Sequence, residues 1–290
     1  MKSVSSILSA ALRGGRAAPA FNFYNLESMG AILRAARATK TDVILAASPG
    51  AIKYMGDDFA RFAAANGVMP VHLDHGMDFE ICKHAIGLGF QSVMFDGSAL
   101  PFDENVRQTR RVVQYAHKHG VFVEAELGVL SGIEDGHGGG RGNFTDPAEA
   151  RRFVELTGCD SLAIAIGTSH GAYKRVEGGG LRVEVLREIR LLLPRVPLVL
   201  HGASMIPAEY TRALGFKNAG GISPLDIKRA VKYGITKVNV DSDARLAWSA
   251  TMKKMFSASR DNGFDPRVYL SAAKDEMVRL YEREIRIINN

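Results

Sequence analysis

Short runs of β-branched and aromatic residues alternate along the whole chain with longer stretches in which apolar residues recur at helical spacing. This alternation is typical of repeated strand–helix units, which build a parallel sheet. Several longer stretches begin at an Asp or Pro and end near a Gly, as capped helices do; examples are Asp103–His119, Asp146–Thr157 and Pro224–Tyr233. The predicted strands are Ala20–Phe23, Val43–Ala47, Val71–Asp74, Gln91–Phe95, Phe122–Glu126, Ser161–Ile166, Leu198–His201 and Lys237–Val240.

Eight such units in 290 residues predict an α/β fold, a (β/α)8 TIM barrel. No change in composition divides the sequence, so we expect a single barrel domain over residues 1–290. An open, doubly wound sheet of eight strands is the alternative, because the number of strands does not establish closure. Residues Asp243–Ile287 exceed one barrel unit and predict additional C-terminal helices, which pack on the barrel or on a second subunit.

The first residues, Met1–Ala20, contain a short apolar run that imitates an export signal, but Arg13 and Arg16 interrupt it too early. We therefore expect an amphipathic helix there. No later segment stays apolar over the roughly eighteen residues that cross a membrane. Cys82 and Cys159 lie far apart in sequence and predict buried thiols in a reducing cytoplasm rather than a disulfide.

The composition describes a globular protein with enough apolar material for a core, since 46% of the residues are hydrophobic and 23% are charged. The formal charge is +6, but the basic residues are dispersed rather than gathered on one arm or helix face. We therefore expect no nucleic-acid partner and no membrane partner. A small phosphorylated substrate that binds in a basic cleft is more consistent with the net positive charge.

Candidate chemistry gathers at the carboxyl ends of the predicted strands. His75 follows the third strand, His170 follows the sixth, and His201 ends the seventh. In a barrel these strand ends meet at the face where active sites form. Neutral imidazole is a preferred ligand of zinc, and three imidazoles leave a fourth position open, as in catalytic zinc sites. The sequence therefore predicts a catalytic zinc centre.

Carboxylates accompany these histidines. Asp74 is adjacent to His75 and is a candidate general acid–base, or alternatively an acceptor that orients a metal ligand. Glu124 and Glu126 alternate on the fifth strand and so share a face. For Glu124 we favour a buried ion pair inside the barrel, whereas Glu126 suits a second metal position. Glu134 lies in the glycine-rich loop after that strand, where closing loops deliver groups to active sites.

Two further loops have the position and the small residues of phosphate-binding loops. The segments Gly202–Ser204 and Asn239–Ser242 follow the seventh and eighth strands, where barrels often bind phosphate through backbone N–H groups and small hydroxyls. Ser48, after the second strand, and Arg245 are candidates for a second phosphate.

These residues together resemble the class II fructose-bisphosphate and tagatose-bisphosphate aldolase family, and the resemblance covers nearly the whole chain. It implies a zinc-dependent, reversible cleavage of a ketose 1,6-bisphosphate, with fructose 1,6-bisphosphate favoured, to dihydroxyacetone phosphate and glyceraldehyde 3-phosphate. The matching segments are Ser48–Gly56, His72–Gly76, Asp96–Ser98, Glu124–Gly128, Ile166–Gly171, His201–Ser204 and Lys237–Asp241.

The resemblance also implies roles for individual residues. Asp74 resembles the group that exchanges a proton with the C4 hydroxyl, and Glu134 resembles the loop acid that handles the C3 proton. Arg245 resembles an arginine that binds the distal phosphate and can reach across a dimer, so we expect a homodimer or homotetramer. A monovalent cation, Na⁺ or K⁺, often assists in such sites. The implied zinc ligands are His75, His170 and His201, with Asp96 and Glu126 at a possible second metal position; the implied substrate-binding residues are Ser48, Gly171, Gly202, Ser204, Asn239, Asp241, Ser242 and Arg245.

Three alternatives stay open on the sequence. The first is an aldolase whose substrate is tagatose 1,6-bisphosphate or another phosphorylated ketose. The second is a protein that binds metal and sugar phosphate without catalysis. The third is a metal-assisted isomerase or epimerase on the same barrel. The presence of both Asp74 and Glu134 argues against a silent binding protein. Isomerases and epimerases generally hold their metal with more carboxylates than a set of three histidines supplies.

Overall fold

The computed structural model describes residues 1–129, 143–169, 171, 180–258 and 264–289, together with the backbone of 133–134 and 137–138. Its central feature is a closed barrel of eight parallel strands in the order β1-β10-β9-β8-β5-β4-β3-β2. The closure confirms the predicted TIM barrel over the open-sheet alternative. The strands are β1 (Ala18–Asn22), β2 (Ile44–Ala47), β3 (Val71–Gly76), β4 (Ser92–Phe95), β5 (Phe122–Leu127), β8 (Ser161–Ile164), β9 (Leu198–Leu200) and β10 (Ile235–Val240), and β6 (Ile133–Glu134) pairs with β7 (His137–Gly138) in a short hairpin.

The predicted strand positions hold, and no bound shifts by more than two residues. Three strands end earlier than predicted: β1 ends at Asn22, β8 at Ile164 and β9 at Leu200. Beyond β8 the backbone leaves the sheet: the N–H of Ala165 donates to the Thr145 hydroxyl at 2.8 Å instead of to a neighbouring strand. His201 consequently lies just outside its strand, in the loop that follows.

The helices surround the barrel and add two at the carboxyl end, as predicted. The last helix packs on the helix that follows β1 and on the helix directly before it in the chain. The helices are α1 (Val4–Arg13), α2 (Leu26–Thr39), α3 (Pro49–Met55), α4 (Asp57–Ala64), α5 (Phe79–Gly87), α6 (Phe102–Lys118), α7 (Pro147–Thr157), α8 (Val183–Leu192), α9 (Ala208–Leu214), α10 (Pro224–Lys232), α11 (Ser242–Ala258) and α12 (Pro266–Asn289).

Alternation along the strands separates an outer core from the barrel interior. Phe21 and Leu45 belong to the large core between strands and helices, whereas their neighbours Ala20 and Ile44 cluster inside the barrel with α1. The amphipathic helix predicted at the start of the chain is α1, and it closes the amino-terminal end of the barrel. This leaves the carboxyl ends of the strands as the polar end.

Two smaller predictions concern the cysteines and the membrane. Cys82 and Cys159 are both buried and free, as predicted. Burial raises the pKa of each thiol to about 12, so both are inert at neutral pH. None of the helices in the described ranges combines the length and apolar composition that crossing a lipid bilayer requires.

Candidate active site

The end of β3 is irregular, and this irregularity builds the site. Adjacent residues of a regular strand point to opposite faces, yet ligand atoms of Asp74, His75 and His201 all lie within 4.8 Å of one another. His75 adopts φ 53°, which non-glycine residues rarely take, and the register with β4 shifts between Leu73 and Gly76. Such a bulge re-aims side chains and is common beside active sites.

Glycine is required directly after His75. A Cβ on Gly76 would lie 2.6 Å from the Met94 carbonyl oxygen and 2.9 Å from the Cys82 sulphur. The close approach of the two strands, which lets β3 bend at His75, therefore depends on the absence of a side chain at Gly76.

His75 and His201 face each other across the mouth, with 3.0 Å between His75 Nε2 and His201 Nδ1. The other ring nitrogen of each histidine contacts a carboxylate: His75 Nδ1 is 2.8 Å from Asp96 Oδ2, and His201 Nε2 is 2.8 Å from Glu124 Oε1. A carboxylate only accepts, so both of these nitrogens carry the proton and donate it. The two remaining ring nitrogens, His75 Nε2 and His201 Nδ1, are therefore directed at the same point of the mouth.

The barrel interior beneath His201 contains a buried charged network. Lys237 donates to Glu124 Oε2 at 2.7 Å and to His72 Nε2 at 3.1 Å, and His72 Nδ1 donates to the Ser92 hydroxyl at 2.8 Å. Burial, assisted by Lys237, lowers the pKa of His72 to about 3, so His72 is neutral. The buried ion pair predicted for Glu124 is thus confirmed, and its partner is Lys237.

This network fixes the protonation of Glu124 and the orientation of His201. Burial alone would raise the pKa of Glu124, but Lys237 and the hydrogen bond from His201 outweigh it and hold the pKa well below its usual range. Burial lowers the pKa of His201 despite that bond. A neutral imidazole held by an ionised carboxylate is the arrangement that orients a metal-binding histidine.

Asp74 is held by two amides. Asn22 donates to Asp74 Oδ2 at 2.8 Å, and Asn239 donates to Asp74 Oδ1 at 2.9 Å. Only 2% of Asp74 is exposed, so these bonds determine its position. Asn22 was not predicted as a site residue. The available signal was a polar residue at the carboxyl end of an otherwise apolar buried strand.

Asp96 and Glu126 lie on the opposite side of His75, and these three residues form a second cluster of possible metal ligands. Glu126 Oε2 is 4.0 Å from His75 Nδ1. Burial alone would raise the pKa of Asp96, but hydrogen bonds from His75 and Ser98 keep it well below its usual range. The structure therefore places the residues predicted for a second metal position around one histidine.

The chemistry of the donor set suits a cation. Lys237 pairs with Glu124, which leaves the carboxylates of Asp74 and Asp96 beside the two imidazoles, 3.9 Å from His201 Nδ1 and 2.8 Å from His75 Nδ1. Tetrahedral zinc, with bonds of about 2.0–2.1 Å to nitrogen, places two ligand nitrogens about 3.3 Å apart. The 3.0 Å between His75 Nε2 and His201 Nδ1 is close to that separation.

The loops after β8 and β9 touch at a glycine. Gly202 has φ 61°, and a Cβ there would lie 2.7 Å from the Ser169 carbonyl oxygen. Any side chain at this position would push the two loops apart. Ser204 then joins these loops to the next helix, because its Oγ accepts from the N–H groups of Asp241 at 3.3 Å and Ser242 at 3.2 Å.

Three of the predicted phosphate residues, Ser204, Asp241 and Ser242, thus meet at the start of α11, a helix of 17 residues. Exposed N–H groups at a helix start attract anions. Gly171 lies just beyond the Ser169 segment, in the loop after β8.

Two predicted phosphate ligands also have structural contacts. The Ser48 side chain accepts from Ala51 N and caps α3 after β2. Arg245 Nε donates to Asp241 Oδ2 at 2.7 Å, and its guanidinium lies 5.9 Å from the centre of the Tyr24 ring. These contacts hold both residues at the polar end of the barrel. Their contact with substrate stays a prediction.

His170, predicted as the third metal ligand, lies outside the described residues. The side chain of Glu134, the predicted loop acid, lies outside them as well, although its backbone pairs with His137 in the β6–β7 hairpin.

Comparison with known proteins gives the site its context. The model of the family "Fructose-bisphosphate aldolase class-II" matches residues 2–290. The chain belongs to the class II fructose-bisphosphate aldolase family. Members of this family are lyases. Two relatives named fructose-bisphosphate aldolase, from Treponema pallidum and Thermus caldophilus, are each 43% identical to the chain, covering 93% and 98% of it and 90% and 96% of their own lengths.

Solved aldolase structures share the fold. The YdjI aldolase from Escherichia coli K12 superposes with a TM-score of 0.81 at 30% identity, covering 99% of this chain and 97% of its own. A putative fructose-1,6-bisphosphate aldolase from Coccidioides immitis gives a TM-score of 0.83 at 30% identity, covering 98% and 95%. The likeness covers nearly the full length of each chain, so it includes the polar end of the barrel.

Proposed function

We propose that this class II aldolase cleaves fructose 1,6-bisphosphate reversibly, with zinc as its cofactor, to dihydroxyacetone phosphate and glyceraldehyde 3-phosphate. The observation that carries the proposal is the convergence of two imidazole nitrogens, His75 Nε2 and His201 Nδ1, at 3.0 Å beside the buried Asp74. The names of the relatives support fructose 1,6-bisphosphate as the substrate.

His75 would hold zinc through Nε2 and His201 through Nδ1, and His170 would be the third ligand. Zinc, when bound, supplies the Lewis acid that stabilises the negative charge left on the three-carbon fragment when the C3–C4 bond breaks. Glu124 and Asp96 keep the metal-binding nitrogens deprotonated by accepting the proton on the opposite side of each ring.

Asp74 is assigned the proton transfer at the C4 hydroxyl. In the cleavage direction its carboxylate accepts the proton of the C4 hydroxyl as the C4 carbonyl forms. Asn22 and Asn239 hold the carboxylate from both sides, which fixes its direction without neutralising it. Glu134 then donates a proton to the former C3 carbon of the three-carbon fragment, which took up the electron pair of the broken bond; its place in the loop after β5 is in accordance with this role.

Phosphate binding is assigned to the loops that meet at α11. The start of α11 and the small residues around it accommodate the phosphate of the dihydroxyacetone half. Arg245 and Ser48 are assigned to the distal phosphate, and a monovalent cation, Na⁺ or K⁺, completes the phosphate site. We further propose one domain over residues 1–290, a homodimer or homotetramer, and a cytoplasmic location. The residues assigned to the dihydroxyacetone phosphate half are Gly171, Gly202, Ser204, Asn239, Asp241 and Ser242.

The test is a panel of phosphorylated ketoses, including fructose and tagatose 1,6-bisphosphates, assayed for release of dihydroxyacetone phosphate with and without a chelator. We expect cleavage of fructose 1,6-bisphosphate that the chelator abolishes and added zinc restores. Equal or faster cleavage of tagatose 1,6-bisphosphate would reassign the substrate. Binding without cleavage of any ketose would remove the enzymatic proposal.

A further inference from the structure

A buried carboxyl on the last helix stands apart from the chemistry above. Glu284 of α12 is 0% exposed, and no hydrogen-bond donor in the described part of the chain reaches either of its oxygens. The group that faces it is the Asp243 carboxylate at the start of α11, which is also 0% exposed. Burial raises the pKa of Glu284 well above its usual value, and the charge on Asp243 raises it further.

Asp243 holds the loop that follows the phosphate residues. Its Oδ2 accepts from Met205 N–H at 2.7 Å, and its Oδ1 accepts from Ile206 N–H at 2.6 Å. Ile206 has φ 51°, a conformation that β-branched residues strongly disfavour. Asp243 therefore keeps a strained turn in place directly after Ser204.

Other charged groups around Glu284 do not neutralise it. Arg283, its neighbour on α12, weakly favours ionisation, but its guanidinium pairs at 3.0 Å with Glu209 at the surface. Tyr281, one turn earlier, is buried, and its hydroxyl has no hydrogen-bond partner among the described residues. The ionisable groups nearest to this tyrosine are Glu284, Asp241 and Asp243, together with Tyr24.

Two ionised carboxylates facing each other in the core would repel strongly, whereas one proton between them turns repulsion into a hydrogen bond. Both oxygens of Asp243 already accept hydrogen bonds from backbone N–H groups. Glu284 has no such donor, so the proton resides on Glu284.

We propose that Glu284 is a positioning residue: its protonated carboxyl donates a hydrogen bond to Asp243 and thereby holds the turn at Met205 and Ile206 that supports phosphate binding. The functional part rests on the proposed role of Ser204 and its loop. The chemistry requires no ligand beyond the proton.

The first experiment tests the proton without substrate. An unfolded Glu releases its proton near pH 4.5, whereas Glu284 keeps it in the folded chain, so the wild type loses stability as pH rises above that value. Glu284→Gln cannot titrate. We expect the ratio of folded to unfolded protein for zinc-loaded E284Q, divided by the same ratio for the wild type, to rise about tenfold per pH unit between pH 6 and 8. Parallel pH profiles for the two proteins would overturn the proposal.

An infrared measurement checks the same proton without unfolding the protein. At pH 7 the wild type should show the carbonyl stretch of a buried protonated carboxyl, and E284Q should lack it. A band that persists in E284Q, or no band in the wild type, would contradict the assignment. An increase of wild-type stability with K⁺ or Na⁺ that E284Q lacks would also overturn it, because a cation would then lie between the carboxylates.

The second experiment tests positioning, with inorganic phosphate as the probe. Glu284→Leu should weaken phosphate binding to the zinc-loaded enzyme about tenfold, the effect of one lost hydrogen bond to a charged group. E284Q still donates and should stay within about twofold of the wild type. Ile288→Ala, a buried residue on the same helix, is the control, since it destabilises the packing without touching Asp243.

Equal weakening by E284Q and E284L, or by I288A and E284L, would show that helix packing rather than the hydrogen bond controls the loop. The pH profile and the infrared band decide on Glu284 even where E284L does not fold. The two proposals fail separately, because the proton on Glu284 is measured without a ketose, whereas the panel of ketoses tests the aldolase.

Discussion

The two ends of the barrel are built from the same eight strands but differ in what their inward side chains contact. At the base, Ile7 and Leu8 of α1 pack on Ala20 and Ile44, and the cluster is entirely apolar. At the mouth, the inward residues are carboxylates, imidazoles and amides that are nearly as buried. The base therefore gains stability directly from apolar burial, whereas the buried carboxylates Asp74 and Glu124 at the mouth are stabilised by hydrogen bonds and an ion pair.

The largest expected effect at the mouth comes from Asp74→Ala. Cleavage should fall about 10²- to 10⁴-fold, the usual contribution of a general acid–base group. Zinc content should be unchanged, because His75 and His201 retain their carboxylate partners. A coupled assay for dihydroxyacetone phosphate and metal analysis measure both. Activity within tenfold of the wild type would remove the proton-transfer role.

Next is Lys237→Met, which leaves Glu124 buried without its ion-pair partner. We expect a loss of about 3–5 kcal/mol in the free energy of unfolding, measured with denaturant. The double variant with Glu124→Gln should recover part of the loss, because no charge is then left unpaired. Failure of the second substitution to recover stability would show that the pair is not coupled.

Leu8→Ala tests the base. Removing a fully buried leucine side chain should cost about 2–5 kcal/mol, while activity per folded molecule stays at the wild-type level. The comparison fails if this variant loses activity under conditions where circular dichroism shows it folded.

The smallest effect is expected for Ser204→Ala, which removes the hydroxyl that accepts from the backbone of Asp241 and Ser242. We expect KM to rise about tenfold with a smaller change in kcat, because the phosphate site loses one hydrogen-bonding group. Ser223→Ala is the matched control. That serine caps α10 and should cost about 1 kcal/mol of stability with no change in KM.

Most of the fold was predictable from the chain because strand and helix periodicities are local properties. The clustering of polar residues at the mouth was predictable for a related reason, since parallel strands of a barrel share one carboxyl end. The bulge at His75 was not predictable, because it depends on contacts between Gly76 and β4 that the sequence does not reveal.

Contacts between residues that lie far apart in the sequence were also not predictable. Glu124 was assigned a buried ion pair, but Lys237, its partner, lies 113 positions away. Asn22 and Glu284 were not singled out, because each becomes informative only when the fold brings it to Asp74 or Asp243. Alternation along a strand shows which residues face inward and leaves open which of them meet.

The most direct test of the central claim is zinc back-titration of the chelated enzyme, following bound zinc and cleavage of fructose 1,6-bisphosphate together. We predict that activity rises in proportion to bound zinc and reaches its maximum at about one zinc per chain. His201→Ala should bind zinc weakly and stay inactive over the same range. Full activity of the wild type with no zinc bound, or full zinc binding and activity in H201A, would contradict the assignment of His75 and His201 as the metal centre.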